Sequence, residues 1–139
     1  MSEQQPERSG QSEQPSEQDE QAIRELAGRV FEAARTGDAE TLGGYVDAGL
    51  SANLANDRGD TLLMLAAYHG HADAVRALLA RGADPDRAND RGQTPLAGAI
   101  FKNERDVVAA LVAAGADADA GTPSARETAA MFGKADMLS

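Results

Sequence analysis

Residues 56–88 read NDRGDTLLMLAAYHGHADAVRALLARGADPDRA, and residues 89–121 read NDRGQTPLAGAIFKNERDVVAALVAAGADADAG. The second stretch restates the first after 33 residues, so that Gly59 returns as Gly92 and Asp84 as Asp117. Self-similarity at a period of about 20 to 50 residues is typical of solenoids, in which each repeat packs on its neighbours. The sequence therefore predicts a stack of repeats.

Each full repeat carries the signals of a turn followed by two helices. The run NDRG at 56–59 has the residues of a tight turn, and Thr61 can cap the first helix with its hydroxyl group. Gly70 can end that helix in the left-handed conformation, and a second helix is predicted over 72–80. Asn103 takes the place of Gly70 in the next repeat, and asparagine tolerates this conformation best among the other residues. The pattern predicts an all-α fold with short β-turn fingers.

Partial copies flank the two full repeats. An upstream helix is predicted by apolar residues at spacings of three and four, which form one stripe: Ile23, Leu26, Ala27, Val30, Phe31 and Ala34. Downstream of residue 121, the sequence aligns with the full repeats only when three residues are omitted from the turn. This alignment predicts a first helix over about 124–132 and only a few residues of a second helix. We expect about four repeats, at residues 20–55, 56–88, 89–121 and 122–139, the last one truncated.

Residues 1–19 differ from the rest of the chain. They contain no apolar residue beyond Met1, and five acidic residues against Arg8 give the segment a formal charge of −4. Nothing in this segment can offset the entropic cost of ordering it. We expect a disordered, acidic, Gln/Ser-rich tail, which is either a solubilising leader or a docking arm.

The composition excludes several classes of protein. A formal charge of −10 over 139 residues repels phosphate backbones, so nucleic-acid binding is not expected. The chain has no cysteine, which excludes disulfides and thiolate metal sites. No apolar run approaches the roughly 20 residues of a membrane span, and no signal-peptide pattern is present. We expect one soluble, cytoplasmic domain at residues 20–139, monomeric by itself and without membrane association.

The motifs of the two full repeats resemble the ankyrin repeat. They are GDTLLMLAA at 59–67, GH at 70–71, GAD at 82–84, TPL at 94–96 and GAD at 115–117. The resemblance covers roughly residues 22–138 and implies an ankyrin-repeat solenoid, an L-shaped stack of antiparallel helix pairs with projecting fingers. The family's Thr-Pro-Leu-His motif is broken by Leu62, Met64 and Ala97, and we expect apolar contact from Met64 to replace part of the lost histidine bonding. Such repeats usually act as binding modules.

No catalytic, cofactor or metal constellation is visible. His69 and His71, the only histidines, lack a third ligand and make a poor zinc site. A run of polar residues superficially resembles a calcium loop, namely Asp84, Asp86, Asn89 and Asp90, echoed by Asp117 and Asp119. Pro85 and the missing glycine and terminal glutamate favour turn capping and solubility instead. No nucleophile and base pair, phosphate loop or dinucleotide fingerprint occurs. We therefore expect no enzyme activity, no cofactor and no bound metal.

Candidate partner-binding residues lie at the fingers and at the ends of the first helices. Tyr68 and Phe101 share one repeat position, which by the resemblance faces a concave groove, and aromatic residues flanked by arginine are common hot spots. Packing of both rings on the neighbouring repeat is the alternative. The finger residues are expected to be polar and exposed. The candidates are Asp57, Arg58, Asp60, Tyr68, His69, Asp90, Arg91, Gln93, Phe101 and Lys102.

This pattern favours two functions, and an enzyme is the third and weakest hypothesis. The first is an adaptor or scaffold that binds another protein through the concave groove and the finger tips. The alternative is a dedicated inhibitory or structural subunit of a neighbouring enzyme. A stoichiometric complex of high affinity favours the subunit, whereas several transient partners favour the adaptor.

Overall fold

The computed structural model describes residues 16–138, which form seven α-helices and a short 3-10 helix. The helices are α1 (Glu17–Thr36), α2 (Ala39–Asp47), α3 (Leu62–Tyr68), α4 (Ala72–Ala80), α5 (Pro95–Phe101), α6 (Arg105–Ala113), α7 (Ala125–Met131) and the 3-10 helix Ala135–Leu138. Bridges between Ala55 and Thr61 and between Gly121 and Ser124 are the only β pairing in this part of the chain. The predicted all-α fold is confirmed. None of these helices is long and apolar enough to cross a membrane.

The helices are arranged in two rows. The first helices of the repeats, α1, α3, α5 and α7, pack on one another in chain order, and α2, α4, α6 and the 3-10 helix form the second row. Each first helix also packs against the second helix of its own repeat. The order of the repeats along the chain is therefore their order in space, as the period predicted.

Small side chains let the rows approach closely. Six alanines of the first helices have no exposed surface, namely Ala34, Ala66, Ala67, Ala99, Ala125 and Ala129. Leucine, isoleucine and valine fill the space between the rows. Met64 is buried and crosses to the next repeat, because a Cβ built on Gly98 would lie 3.0 Å from the Cε of Met64. The expected apolar contact from Met64 is therefore present.

Local capping follows the predicted signals. The hydroxyl of Thr61 accepts a hydrogen bond from the N–H of Met64 at 3.0 Å. Gly70 ends α3 with a φ of 79°, and Asn103 adopts a φ of 63° after α5. Asparagine thus supplies the left-handed residue where glycine is absent. The predicted helix ends are confirmed at these positions.

The first helix begins earlier than the sequence pattern indicated. It starts at Glu17 rather than Glu20, because Ser16 and Asp19 form a capping box in which each side chain accepts from the other residue's N–H, at 3.1 and 3.4 Å. Ser16 is thus the N-cap of helix α1, and residues 17–19 form its first turn. Residues 1–15 of the predicted tail lie outside the described residues.

Helix α1 also extends beyond the rest of the stack. Its 20 residues measure about 30 Å, whereas the 7 residues of α3 measure about 10 Å. Val30 and Phe31 are buried, but Ile23, which was predicted to belong to the same apolar stripe, is 58% exposed. Ile23 lies on the part of α1 that no other described helix is long enough to cover.

The described part of the last repeat has a short second helix. Its first helix, α7, has a capping box between Ser124 and Glu127, but the 3-10 helix that follows has only 4 residues. Met137 is the one buried residue of that helix. The C-terminal end of the stack consequently buries less apolar surface than the central repeats.

Candidate functional site

Two fingers project from the first-helix row, and their geometry is nearly identical. The side-chain oxygen of Asn56 accepts from the N–H groups of Arg58 and Asp60 at 2.9 and 3.0 Å. The oxygen of Asn89 accepts from Arg91 and Gln93 at the same two distances. These turns are the ones predicted from the NDRG runs, and they place an exposed arginine at the tip of each finger.

Hydrogen bonds join the first finger to the second. The N–H of Asp90 donates to the carbonyl oxygen of Arg58 at 3.0 Å, and the amide nitrogen of Asn89 donates to a carboxylate oxygen of Asp60 at 2.8 Å. The prediction that Asp60 is an exposed finger residue is wrong, since Asp60 is only 9% exposed. Its carboxylate is held inside because Asn89 of the next repeat offers it a hydrogen bond.

A cavity of about 340 Å³ lies between these fingers and the ends of α1 and α3. We call it the basic pocket. It is lined by Arg35, Asn56, Arg58, Asp60, Met64, Leu65, Tyr68, His69, Arg91 and Gln93. Six of the ten candidate residues therefore meet at one place, although they come from positions 58 to 93 of the chain.

Tyr68 is half-buried in this pocket. Its ring packs on the next repeat, because a Cβ on Gly98 would lie 3.6 Å from the Cδ1 of Tyr68. The ammonium group of Lys102 lies 5.1 Å from the centroid of the Tyr68 ring, within the range of a cation–π contact. The exposed ring of His69 meets Tyr68 edge-on at 5.6 Å. Tyr68 thus combines packing between repeats with a surface that faces the pocket.

A second cavity, of about 250 Å³, continues from the first. We call it the apolar pocket, and its lining is Gln93, Ala97, Phe101, Pro123, Thr128, Met131 and Phe132. Phe101 and Phe132 are 49% and 51% exposed, and their rings meet edge-on at 5.5 Å. Gln93 lines both cavities, so the two pockets are neighbours, and we call the surface that includes both of them the groove.

Three candidate residues lie outside both pockets. Asp57 is exposed at the tip of the first finger. Asp90 is exposed as well, but it packs against the first finger, since its Oδ1 would lie 2.5 Å from a Cβ on Gly59. Lys102 is exposed beside Tyr68 rather than in a cavity.

The sequence reasoning missed Arg35, Met131 and Phe132, although the repeat period contains a signal for them. Arg35 precedes Tyr68 by 33 residues, and Met131 corresponds to Phe101 once the three-residue deletion in the last turn is counted. These four residues therefore occupy one repeat position. This position is basic in Arg35, aromatic in Tyr68 and Phe101, and a thioether in Met131.

The charges in the basic pocket contrast with those of the whole chain. Three arginines face one carboxylate, that of Asp60, which gives the pocket a formal charge of +2 in a chain of charge −10. Arg35 forms an exposed ion pair with Glu32 at 3.3 Å. Within residues 16–138, the side chains of Arg58 and Arg91 form no ion pair.

The remaining polar motifs have structural roles. The Nε2 of His71 donates to the carbonyl oxygen of Arg35 at 2.7 Å, which ties α4 to the preceding repeat. The carboxylates of Asp84 and Asp117 accept from N–H groups two residues later, at 2.9 Å each. The predicted role of these acids in turn capping is confirmed. No set of three or more metal-ligating side chains comes together in the described chain.

One acid at the far end of the stack has a perturbed pKa. Asp119 forms an ion pair with Arg126 at 2.8 Å. The hydrogen bond from the guanidinium group, together with its charge, lowers the pKa of Asp119 below the ordinary value of 3.8. Both groups are exposed and distant in sequence from the basic pocket, so this pair acts at the turn before α7.

The stacked helix pairs, the fingers and the groove between them are the architecture of ankyrin repeats. The family model for ankyrin repeats in three copies matches residues 30–122, and the chain belongs to this family. Ankyrin repeats generally mediate protein–protein interaction, and the family is typically non-enzymatic.

A related protein comes from Pseudomonas aeruginosa and is named as an ankyrin repeat protein. It is 47% identical to this chain over 47 residues, which are 34% of this chain. The match spans 28% of the length of that relative. This likeness agrees with the family assignment.

Proposed function

We propose that the protein is a cytoplasmic adaptor that binds another protein through the groove formed by the basic and apolar pockets. The observation that carries the proposal is the meeting of aromatic and arginine side chains along this groove. Tyr68 and Phe101 are one repeat apart, and Arg58 and Arg91 stand on the fingers above them. Tyrosine and arginine are enriched among the residues that dominate binding energy at interfaces.

Hydrogen bonds between the fingers support the same function. Backbone hydrogen bonds from Asp90 to Arg58 and from Thr122 to Gly92, at 3.0 and 2.9 Å, connect successive fingers. A preformed site loses little conformational entropy when a partner binds.

A dedicated inhibitory or structural subunit is the second candidate. It is favoured by five large apolar side chains that are exposed in the described chain, namely Ile23, Phe101, Val112, Met131 and Phe132. Permanent complexes bury more apolar surfaces than transient ones do. Light scattering of the purified complex separates the two candidates, because a subunit gives one stable stoichiometry and an adaptor gives several weaker complexes.

Capture of partners by the tagged full chain tests the proposal. We expect a Tyr68→Ala, Phe101→Ala variant to recover at least about tenfold less partner than the unmodified chain, as expected for the loss of hot-spot side chains. A matched control is Ile23→Ala with Val112→Ala, which removes two exposed apolar side chains outside both pockets. Equal recovery with all three proteins, each folded by circular dichroism, would refute the groove as the binding surface.

A further inference from the structure

We infer that the groove recognises a peptide segment in which two acidic residues are followed or preceded by a bulky apolar residue, with the three spaced about one repeat apart. This inference rests on the proposed function and adds the chemistry of the partner. The acidic side chains bind Arg58 and Arg91, and the apolar side chain enters the pocket of Phe101, Met131 and Phe132.

The basic half of the groove is built to attract carboxylates. Five of the ten arginines within residues 16–138 have an acidic partner, as in the pairs Arg76–Asp73 and Arg81–Asp47, both at 3.0 Å. Arg58 and Arg91 have none within residues 16–138, and they stand at equivalent positions on adjoining fingers. A guanidinium group can bind a carboxylate through two parallel hydrogen bonds.

The pocket contains one carboxylate, that of Asp60, which already accepts a hydrogen bond from the protein. One oxygen of Asp60 accepts the hydrogen bond from Asn89 at 2.8 Å, and the side chain is buried at the base of the finger. Its negative charge lowers the formal charge of the pocket to +2 without reaching the finger tips. An acidic ligand therefore meets exposed positive charge at the tips, whereas the rest of the chain is strongly acidic.

The other half of the groove lacks charged side chains and offers apolar contact. Phe101, Met131 and Phe132 are all exposed, and the cavity between them is about 250 Å³, which is of the size that one large side chain can enter. Lys134 does not line this cavity, and its ammonium group donates to the carbonyl oxygens of Ile100 and Phe101 at 3.1 and 3.4 Å. This half therefore selects for an apolar side chain.

The repeat geometry sets the spacing of the recognised residues. Packed helices lie about 8–10 Å apart, and an extended peptide advances about 3.3 Å per residue. One repeat therefore corresponds to about three peptide residues. The segment carries acidic residues about three positions apart, opposite Arg58 and Arg91, and a bulky apolar residue about three positions beyond the one that meets Arg91.

A nucleic acid fits these features less well than an acidic peptide does. The phosphate backbone would meet the charge of −10 on the rest of the chain, and such backbones are usually bound by longer runs of cations than two free arginines. The apolar pocket also has no charged group to hold a phosphate. The favoured occupant is an acidic segment of another protein.

Selection from a library of random displayed peptides, each about nine residues long, tests this inference on the full chain. The expected result is enrichment of two acidic positions about three apart, with leucine, methionine or phenylalanine about three positions before or after the pair. An Arg58→Ser, Arg91→Ser variant should lose the acidic preference and bind the selected peptide roughly tenfold more weakly. A Phe132→Ser variant should keep the acidic preference and lose the apolar one.

An Arg76→Ser, Arg105→Ser variant is the control, because it removes the same charge from the second helices, outside both pockets. Its affinity should match that of the unmodified chain. Selected peptides that are basic or wholly apolar would overturn the inference while leaving protein binding intact. Selection of no peptide, together with equal partner capture by the Tyr68→Ala, Phe101→Ala variant, would overturn the proposed function as well.

Two further probes distinguish other occupants. An oligothymidylate and a synthetic peptide of residues 1–15 are titrated against the full chain in the same assay. Tighter binding of the oligothymidylate than of the selected peptide would overturn the assignment to protein. Tighter binding of the peptide of residues 1–15 would show that the chain's own acidic segment fills the groove, and would overturn the assignment to a partner.

Discussion

Replacing Asn89 with alanine tests whether the fingers are joined by a buried polar contact. Asn89 is 8% exposed, and its oxygen accepts two backbone hydrogen bonds, at 2.9 and 3.0 Å. Its amide nitrogen donates to Asp60 at 2.8 Å and to Gln93 at 3.2 Å. The repeat supplies its own control in Asn56, which makes the two backbone bonds alone.

The expected difference between the two variants follows from these bonds. Losing the two backbone bonds should cost about 1–3 kcal/mol of unfolding free energy at either position, at about 0.5–1.5 kcal/mol per bond. Asn89→Ala also removes a hydrogen bond to a charged group, worth about 1.5–3 kcal/mol, and leaves the buried carboxylate of Asp60 unpaired. We therefore expect Asn89→Ala to destabilise the protein by about 2 kcal/mol more than Asn56→Ala.

Urea unfolding followed by circular dichroism measures both variants, together with Asp60→Ala and the Asp60→Ala, Asn89→Ala double variant. The coupling free energy between Asp60 and Asn89 should be at least about 1 kcal/mol, because the two side chains are in direct contact. Equal losses for Asn56→Ala and Asn89→Ala, or strict additivity in the Asp60 and Asn89 cycle, would refute the contact between fingers.

Three further predictions concern a turn, the last repeat and a helix cap. Gly92→Ala should lower the unfolding free energy by about 1 kcal/mol or more, since Gly92 has a φ of 80° and a Cβ there would approach a backbone oxygen at 3.1 Å; unchanged melting would contradict this. Amide hydrogens of α7 should exchange faster than those of α3, because the 3-10 helix after α7 has only 4 residues; equal protection would argue against early fraying. Asp38 caps α2, and its carboxylate accepts hydrogen bonds from the hydroxyl and the N–H of Thr41. These bonds, that of the hydroxyl most, lower the pKa of Asp38 below 3.8. The contribution of the ionised Asp38 to folding stability is therefore complete above pH 3.8 and is lost as the pH falls through the lower folded-state pKa. The melting of Asp38→Asn should therefore depend less on pH over that range, and identical pH profiles for the two proteins would count against this role.

The fold was predictable because its signals are local and repeated. Thr61 caps α3, and Gly70 and Asn103 end the first helices, from residues that can be recognised within a few positions of the turn. A repeat that packs only on its neighbours needs no long-range information to be placed in the stack. The period of 33 residues then orders all the helices at once.

The failures arise where one repeat depends on the next. Asp60 lies in a turn like that of Gln93, and nothing local indicates that it is buried by Asn89, which is 29 residues away. Ile23 fits the apolar stripe of α1, but its exposure depends on the lengths of the helices that pack on α1. Periodicity identifies which face of a helix is apolar, and only the neighbouring elements determine how much of that face is covered.

The residues of the candidate site vary between repeats more than those of the core do. The reason is that packing between repeats and contact with a ligand involve different positions of the same repeat. Residues between the rows are restricted to small or branched apolar side chains, as at Ala66 and Ala99, since the helices approach closely there. The position of Arg35, Tyr68, Phe101 and Met131 faces the groove and is free of that restriction. Where the repeats differ at a position that faces the groove, the difference therefore indicates the chemistry of the ligand. Where the repeats have the same residue, the identity indicates that the position is needed for packing. For this chain the differences run from positive charge to apolar surface, and a ligand that matches them must itself be acidic at one end and apolar at the other.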